Sequence, residues 1–598
     1  MHGREAPAAA PIAPTSRRET VAPAPAVPSG PASVDRLASP RAYGHYLRAR
    51  EAELRGDWRE VGDELRQALA FDPGSAALHV AMAEAWGRSG QLGRAEAEAR
   101  QALALEPAGA TAAEAWLLLG KLALMGRRGP EAAQALRESV RIQSELARGR
   151  PADEAALDPD AWRLLAHVEM EAGREPAAAL VLDDLAARLP SEGAASLRDL
   201  ASQLAERGDD ARAEGYLRLA LERDRHEAEA WRRLAQLLER RRRPDEARKA
   251  WEGLLREDPD DAEALLAAGR LALRAGDPAG ARAWFGQLEQ VSGDESAARA
   301  AVAFAWLDAR RAADALRVVE DGLRVAPGDP RLRFAEGTVL AEQRRWTEAA
   351  EAFAGVTGED EDLVVSARAG QALALAQGGR ATRALSVVDA ELRRRPGDPR
   401  LVRTRALALE RAGRTAEALV VLESAVAARP RDEESRFALA MAHDRTGDRN
   451  AAVRVAQGLL ELNPDNAEAM NFLAYAWAAN GQRLEEAERL ASRALDQQPE
   501  NAAFLDSLGW VHYQRGDYGR AVGLLERAES IGGPEPTILE HLGDAYRRVL
   551  RAADAARAYE RALEAFDGGA EPETPGQRAH IERKLGELRA ADLRPARR

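Results

Sequence analysis

The side chains best suited to chemistry are scattered along this chain rather than grouped. Nine histidines occur, and none belongs to an HExxH sequence or to a His/Glu cluster with the spacing of metal ligands. There is no GxxxxGK[ST] loop, no GxGxxG turn after a strand and no GxSxG elbow. Asp506 and Ser507 could suggest a nucleophile, but no base is assigned to them by spacing. We therefore expect no enzyme activity, no metal and no cofactor.

The charge and the cysteine content of the chain exclude further classes of function. The absence of cysteine excludes disulfides, thiol nucleophiles and Cys-based metal sites. The net charge is −13, and acidic and basic residues are interleaved, so the chain should repel phosphate backbones and we expect no nucleic-acid partner. Only Lys121, Lys249 and Lys584 are lysines among 85 basic residues, which indicates a GC-rich bacterial genome rather than arginine-specific recognition.

The elements that must position any functional residue are predicted to be helices. The apolar share of 45% is mainly Ala and Leu, while aromatic residues make up 5%, so good helix formers dominate. Apolar residues recur at i, i+3, i+4 and i+7, which gives each helix one buried stripe. At 598 residues the chain is too long for one compact core, which favours several domains or a repeat array.

A small residue recurs along the chain with a modal step of 34 residues. The series is Val61, Ala95, Ala132, Ala178, Ala213, Ala247, Ala281, Ala315, Ala349, Ala384, Ala418, Ala452, Ala487, Ala521 and Ala555. The step from Ala132 to Ala178 is 46 residues, with the extra residues around ELARGRPADEAALDP. This insertion is most simply a longer loop between hairpins, and a small binding feature is the alternative.

Two other residue types recur at a fixed distance from that series. Twelve residues after it the second helix usually ends at a proline, which cannot continue the helix, as at Pro396 and Pro430. Twelve residues before it lies another small residue, as at Gly509 and Gly543. We expect this small residue and the alanine to face each other, which lets the two helices of a hairpin approach closely.

These residues carry a family resemblance. The segment FLDSLGWVHYQRGDYGRAVGLLERA resembles a tetratricopeptide repeat, with Leu508, Gly509 and Tyr513 in its first helix and Ala521 and Leu525 in its second. The resemblance covers roughly residues 40–567 and is weaker near 110–160, 293–300 and 361–370. It implies an all-α fold, a right-handed superhelical solenoid of about fifteen helical hairpins with a C-terminal capping helix.

The predicted organisation has four further segments. Residues 1–39 are rich in Ala and Pro and should form a disordered linker. Residues 568–576 form a second linker, residues 577–592 the capping helix and residues 593–598 a frayed tail. No run approaches the roughly 18 apolar residues of a membrane span.

In tetratricopeptide proteins the first helix of each hairpin lines the concave face, so the resemblance implies where a partner would bind. In the last units the inward positions change to aromatic and polar residues, which are typical of a peptide groove. The predicted partner-binding residues are Phe437, Met441, Asn471, Tyr475, Asp506, Trp510, Tyr513, Gln514, Glu540 and Asp544. The alternative for Trp510 and Tyr475 is packing between adjacent hairpins.

The resemblance thus implies a scaffold that binds partner proteins or peptides. One alternative is a cell-envelope lipoprotein that organises secretion, polysaccharide export or cell-wall assembly, because such proteins place an Ala/Pro-rich tether before the folded domain. Another is a helical regulatory subunit of an enzyme complex. The sequence as written has no signal peptide, which predicts a cytoplasmic location. A periplasmic, outer-membrane lipoprotein whose signal and cysteine are missing here is the alternative location.

Overall fold

A computed structural model describes residues 39–148, 157–570 and 576–592. The predicted linker at 1–39 lies outside these residues except for Ser39, as does the tail at 593–598. The chain divides into two compact units, residues 1–288 and 289–598. The described residues form helices and turns and contain no strand, so the predicted all-α fold is confirmed.

The first unit contains α1 to α13 and most of α14. Their bounds are α1 Pro40–Leu54, α2 Trp58–Phe71, α3 Ala76–Arg88, α4 Leu92–Leu105, α5 Ala110–Met125, α6 Gly129–Leu146, α7 Asp160–Glu171, α8 Glu175–Arg188, α9 Pro190–Glu206, α10 Asp210–Arg223, α11 Ala228–Arg240, α12 Pro244–Glu257, α13 Ala262–Arg274 and α14 Pro278–Val291. The long step in the repeat coincides with an α6 of 18 residues and with the segment 147–159, whose residues 149–156 are not described.

The second unit continues the same pattern. Its helices are α15 Glu295–Asp308, α16 Ala312–Val325, α17 Pro330–Glu342, α18 Trp346–Ala354, α19 Glu361–Gln377, α20 Ala381–Arg394, α21 Pro399–Arg411, α22 Thr415–Ala428, α23 Glu433–Arg445, α24 Arg449–Leu462, α25 Ala467–Ala479, α26 Leu484–Gln497, α27 Ala502–Gln514, α28 Tyr518–Gly532, α29 Pro536–Arg548, α30 Ala552–Asp567 and α31 Gln577–Asp592. No helix among the described residues is long and apolar enough to cross a bilayer.

Consecutive helices pack as hairpins, an odd-numbered first helix against the even-numbered second helix that follows it. Within each unit, the first helices also pack against the second helix of the preceding hairpin, as α27 does against α26 and α29 against α28. A hairpin buries one apolar face internally and the other against its neighbour, so stacking extends the core along each unit.

The close approach within a hairpin differs from the expectation in one detail. The small residue of the first helix is faced by a large side chain four residues after the alanine, not by the alanine itself. A Cβ added at Gly509 would lie 2.8 Å from the Leu525 side chain, and one at Gly543 would lie within 3.0 Å of the Tyr559 ring. Since 3.6 residues make a turn, that side chain lies one turn beyond the alanine and fills the space which the glycine leaves.

The first helices of the second unit begin at side-chain caps. Asp398, Asp432, Asn466 and Asn501 each accept a hydrogen bond from a backbone N–H in the first turn of the helix that follows. Each lies two residues after one of the recurring prolines, so the end of one hairpin and the start of the next are specified together. The caps fix the direction in which α21, α23, α25 and α27 present their side chains.

Candidate site on the first helices of the second unit

The ten predicted partner-binding residues lie on four successive first helices of the second unit. Eight of them form pairs four residues apart, which places the members of a pair one turn apart on one helix face. The pairs are Phe437 and Met441 on α23, Asn471 and Tyr475 on α25, Asp506 and Trp510 on α27, and Glu540 and Asp544 on α29. Tyr513 and Gln514 complete the set at the end of α27.

An aromatic cluster, consisting of Tyr475, Trp510, Tyr513 and His541, connects three of these helices. The Trp510 ring stacks on Tyr513 with a centroid distance of 4.6 Å and on His541 at 4.0 Å. Tyr475 approaches His541 from α25 at 6.2 Å. Trp510, Tyr475 and Tyr513 are each half-buried, so part of every ring lies in the hairpin stack and part meets solvent. The rings therefore pack between hairpins, as in the alternative interpretation, and also keep surface that a partner could contact.

His541 is held in this cluster by Asp506. The His541 Nδ1 atom lies 2.9 Å from Asp506 Oδ1, and both side chains are buried. Because an ionised carboxylate only accepts hydrogen bonds, Nδ1 carries the hydrogen of this pair. The bond joins α27 to α29 and orients the imidazole face against Trp510. Asp506 is thus engaged inside the protein and supports the aromatic cluster.

Asn471 has an unused hydrogen-bonding group beside the aromatic cluster. Its Oδ1 atom is buried and accepts no hydrogen bond from the described residues. A buried acceptor without a donor costs about 1–3 kcal/mol. The atom lies one turn before Tyr475 on α25, and a partner's N–H group would recover that cost if the half-buried Asn471 side chain turned to meet it.

The remaining apolar pair lies at the other end of the site. The Phe437 ring contacts Phe472 edge to face at 6.4 Å, and Phe437 and Met441 both pack, half-buried, against the core formed by α23 to α27. Gln514 is half-buried and makes no hydrogen bond to another described residue. These three side chains keep part of their surface available.

Glu540 and Asp544 are covered by α31. Lys584 Nζ donates to Glu540 Oε1 at 2.7 Å and to Asp544 Oδ2 at 2.6 Å. The Tyr559 hydroxyl donates to Asp544 at 2.6 Å, and Gln577 donates to Glu540 at 3.1 Å. In this arrangement the two carboxylates hold the C-terminal helix, and the open part of the surface lies on α23, α25 and α27.

The surroundings of Tyr513 and His512 keep both side chains uncharged near pH 7. Burial raises the pKa of Tyr513, and Asp544 raises it further against the opposing charge of Arg548, so the phenol stays protonated and able to donate. Burial lowers the pKa of His512, on the opposite side of α27, and keeps that imidazole neutral near pH 7. Among residues 39–148, 157–570 and 576–592, no group of three His, Cys, Asp or Glu side chains is placed to hold a metal ion.

Sequence reasoning missed two side chains that organise this site, His541 and Lys584. The sequence does not single out His541, because none of the nine histidines has a partner at the spacing of metal ligands. Its partners come from other repeats, 35 residues away for Asp506. For Lys584 a weak signal existed, since it is one of three lysines in an arginine-rich chain and lies in the predicted capping helix.

Comparison with known proteins identifies the repeat. A model described as the tetratricopeptide repeat matches residues 80–151, 198–252, 232–295, 305–364, 334–399, 369–433 and 478–536. A second tetratricopeptide repeat model matches residues 409–474. No curated protein is similar enough to match the chain.

Several solved structures are similar at low identity. Yeast Tom70 is 13% identical with a TM-score of 0.34, over 85% of this chain and 96% of that one. The Cut9–Hcn1 hetero-tetramer of APC/C gives 15% identity and a TM-score of 0.36, over 80% of this chain and 90% of that one. A tetratricopeptide repeat protein from Parabacteroides merdae ATCC 43184 is 15% identical with a TM-score of 0.33, over 44% of this chain and 98% of that one. Because the repeat models match more than half of the residues, the chain belongs to the tetratricopeptide repeat family.

Proposed function

We propose that this protein is a scaffold that binds a segment of a partner protein on the first-helix surface of α23, α25 and α27. Tetratricopeptide repeats support a protein-interaction role in general, and the fold is typically non-enzymatic. The observation that carries the proposal is the aromatic cluster, which holds Trp510 and Tyr513 rigidly while leaving part of each ring exposed.

Rigid aromatic rings suit an interface for two reasons. They bury a large apolar area when a partner covers them, and Trp and Tyr are enriched among the residues that dominate binding energy. Here the ring orientations are already fixed by stacking and by the bond between Asp506 and His541, so little side-chain entropy is lost on binding. Aromatic anchors of this kind would receive apolar side chains of the partner.

Polar groups around the rings would set the orientation of the partner. Gln514 lacks any partner among the described residues and can pair with a peptide backbone, while Asn471 Oδ1, which lacks a donor, can do so once the half-buried side chain turns toward the surface. A peptide amide that donates to Asn471 would satisfy an acceptor that is costly to leave buried. The partner segment is therefore expected to present a backbone N–H close to an apolar side chain.

Site-specific photo-cross-linking tests this proposal. A benzophenone amino acid placed at Gln514 in the full chain, in the cells that produce it, should form covalent adducts with one or a few proteins. The same reagent at Arg520, exposed on the second helix α28, provides the matched control. We expect adducts at position 514 that disappear when Trp510→Ala is added. Equal adducts from both positions, or adducts that persist in the Trp510→Ala protein, would place the binding surface elsewhere.

A further inference from the structure

The second helix α22 exposes an unusual amount of apolar surface. Its sequence is TAEALVVLESAVAA, and it buries only Ala418 and Leu422. The neighbouring second helices each bury four residues: in α20 these are Ala384, Leu385, Val388 and Glu391, and in α24 they are Ala451, Ala452, Ala456 and Leu459. Val420 is 61% exposed. A helix this apolar is normally covered on most of its surface, so α22 presents a face that a partner could bury.

A groove lies directly beside this face. It has a cavity volume of about 720 Å³ and is bounded by α20, α21 and α22, with Asp432 and Ser435 at the start of α23. Its apolar wall consists of Leu392, Val402, Val420, Val421 and Ala425. A cavity of this size accommodates several aliphatic side chains. The groove is formed largely by second helices and their connections, and although Ser435 at the start of α23 lines it, it includes none of the ten predicted partner-binding residues.

The rim of the groove is basic. Its charged lining consists of three arginines and two aspartates, and the segment 380–436 that forms it has 13 arginines and 9 acidic residues in a chain whose net charge is −13. On the rim, Asp389 accepts a hydrogen bond from Arg405 at 2.7 Å, which neutralises that pair. Arg393 is exposed and forms no ion pair with a described residue, and Arg429 is exposed beside Asp432. The rim therefore offers positive charge to a ligand.

We infer that the groove bounded by α20, α21 and α22 binds an acidic amphipathic helix of a partner protein. Aliphatic side chains of that helix enter the cavity along Val420 and Val421, while Asp or Glu residues flanking them pair with Arg393 and Arg429. A groove between helices suits an inserted helix with anchors one turn apart. A second copy of this chain fits poorly, because a symmetric contact would bring the same arginine-rich rims together.

Selection from a phage-displayed library of helical peptides, with the solvent-facing positions randomised, tests this inference on the full-length protein. We expect the selected peptides to combine aliphatic residues at i and i+4 with flanking Asp or Glu. Binding of a selected peptide, followed by fluorescence anisotropy, should weaken about tenfold or more in the Val420→Glu and Arg393→Glu variants. Both changed side chains are exposed, so the melting temperature should stay unchanged.

Two matched variants make the result specific. Val325→Glu changes a valine on α16 that is 69% exposed, and Arg394→Glu reverses the charge next to Arg393 outside the groove wall. Both should bind the selected peptide like the unchanged protein. The inference is overturned if no acidic aliphatic class is selected, or if the four variants weaken binding equally. It is also overturned if sedimentation shows a dimer that Val420→Glu dissociates, because the occupant would then be a second copy.

Discussion

At the scale of single residues, the candidate site depends on a few side chains whose roles differ. Trp510 and Tyr513 offer ring surface, Asp506 and His541 hold those rings, and Asn471 keeps a buried acceptor unused. The side chains that hold the rings are thus different from those that would contact a partner. Their effects on stability and on binding can therefore be measured independently.

We expect Asn471 to lower the stability of the fold and to strengthen the binding of a partner. The variant Asn471→Leu has nearly the same size and removes the unpaired Oδ1 atom, so the free energy of unfolding should rise by about 1 kcal/mol in urea titrations. Partner affinity should fall in the same variant. The control Asn501→Ala removes a helix cap that accepts from Ala503 and Phe504, and should lower stability by about 1 kcal/mol instead. A loss of stability in Asn471→Leu would show that the amide is satisfied in solution.

Glu114 in the first unit gives a pH-dependent prediction. Burial raises the pKa of Glu114 from 4.5 to about 7, with Glu84 and Asp158 adding to the effect. As the pH rises from 4.5 to 7, the unfolded chain loses this proton while the folded chain keeps it, so folding becomes less favourable; the penalty is complete above pH 7. Glu114→Gln removes the penalty and should stabilise the protein by about 1–3 kcal/mol at pH 8.

The same variant contains its own control, because at pH 4 the carboxyl group is protonated in both states. Differences in free energy of unfolding between Glu114→Gln and the unchanged protein should therefore shrink towards zero as the pH falls to 4. A stabilisation that is equal at pH 4 and pH 8 would mean that packing, not ionisation, causes it.

At the scale of helices, the repeat period explains how much could be predicted. Most hairpins repeat the small residue and the apolar stripe, and nine of the fifteen also have the proline stop, so all-α hairpins follow from a 34-residue step. Contacts between different repeats could not be predicted in this way. The period shows which residue types recur, but not which individual side chains contact each other. His541 meets Asp506 across 35 residues and Lys584 meets Glu540 across 44, and both contacts depend on side chains that the repeat pattern does not specify.

The candidate site, too, could be predicted only in part from the sequence. The period and the resemblance predicted which positions share a face, such as Asp506 with Trp510. They did not predict that Glu540 and Asp544 on that face are engaged by α31. They also placed the recurring alanine opposite the small residue, whereas a larger side chain one turn later occupies that place. Side-chain volume, rather than spacing, decides this contact.

The glycine contacts predict opposite effects for two Gly→Ala changes. In Gly543→Ala the new Cβ would lie within 3.0 Å of the Tyr559 ring, so overpacking should cost about 1–3 kcal/mol. In Gly523→Ala, in the middle of α28, the Cβ meets no atom within 4 Å, and the gain in helix propensity should add about 0.5–1 kcal/mol. Urea unfolding of both variants checks the pair, and equal changes would refute the close approach.

Docking of α31 should depend on one lysine. Lys584→Met leaves Glu540 and Asp544 without their shared cation, and should weaken the attachment of α31 by about 2–4 kcal/mol. Hydrogen exchange should then speed up across residues 577–592 and stay unchanged in α1 to α27. Arg583→Met, one residue earlier and exposed, serves as the control. Unchanged exchange in Lys584→Met would mean that Ile581 and Leu585 alone hold the helix.

At the scale of the whole molecule, the chain consists of two compact units made of one kind of hairpin, and its functional differences lie in the surfaces of particular repeats. The second unit carries the aromatic cluster on first helices and the basic groove on second helices. Two such surfaces would allow one chain to hold two partners at once. The cytoplasmic or envelope location stays a prediction, to be checked by fractionating cells that produce the protein.

The most direct test of the central claim is a calorimetric titration of the cross-linked partner, once identified, into the full-length protein and its Trp510→Ala, Tyr513→Ala double variant. Binding should weaken by about 2 kcal/mol or more, the scale of an interface hot spot, while the thermal midpoint falls by only a few degrees. Trp231→Ala, a half-buried ring on α11 of the first unit, should leave the affinity unchanged. If the double variant binds normally while melting far earlier, the rings belong to the core and the central claim is wrong.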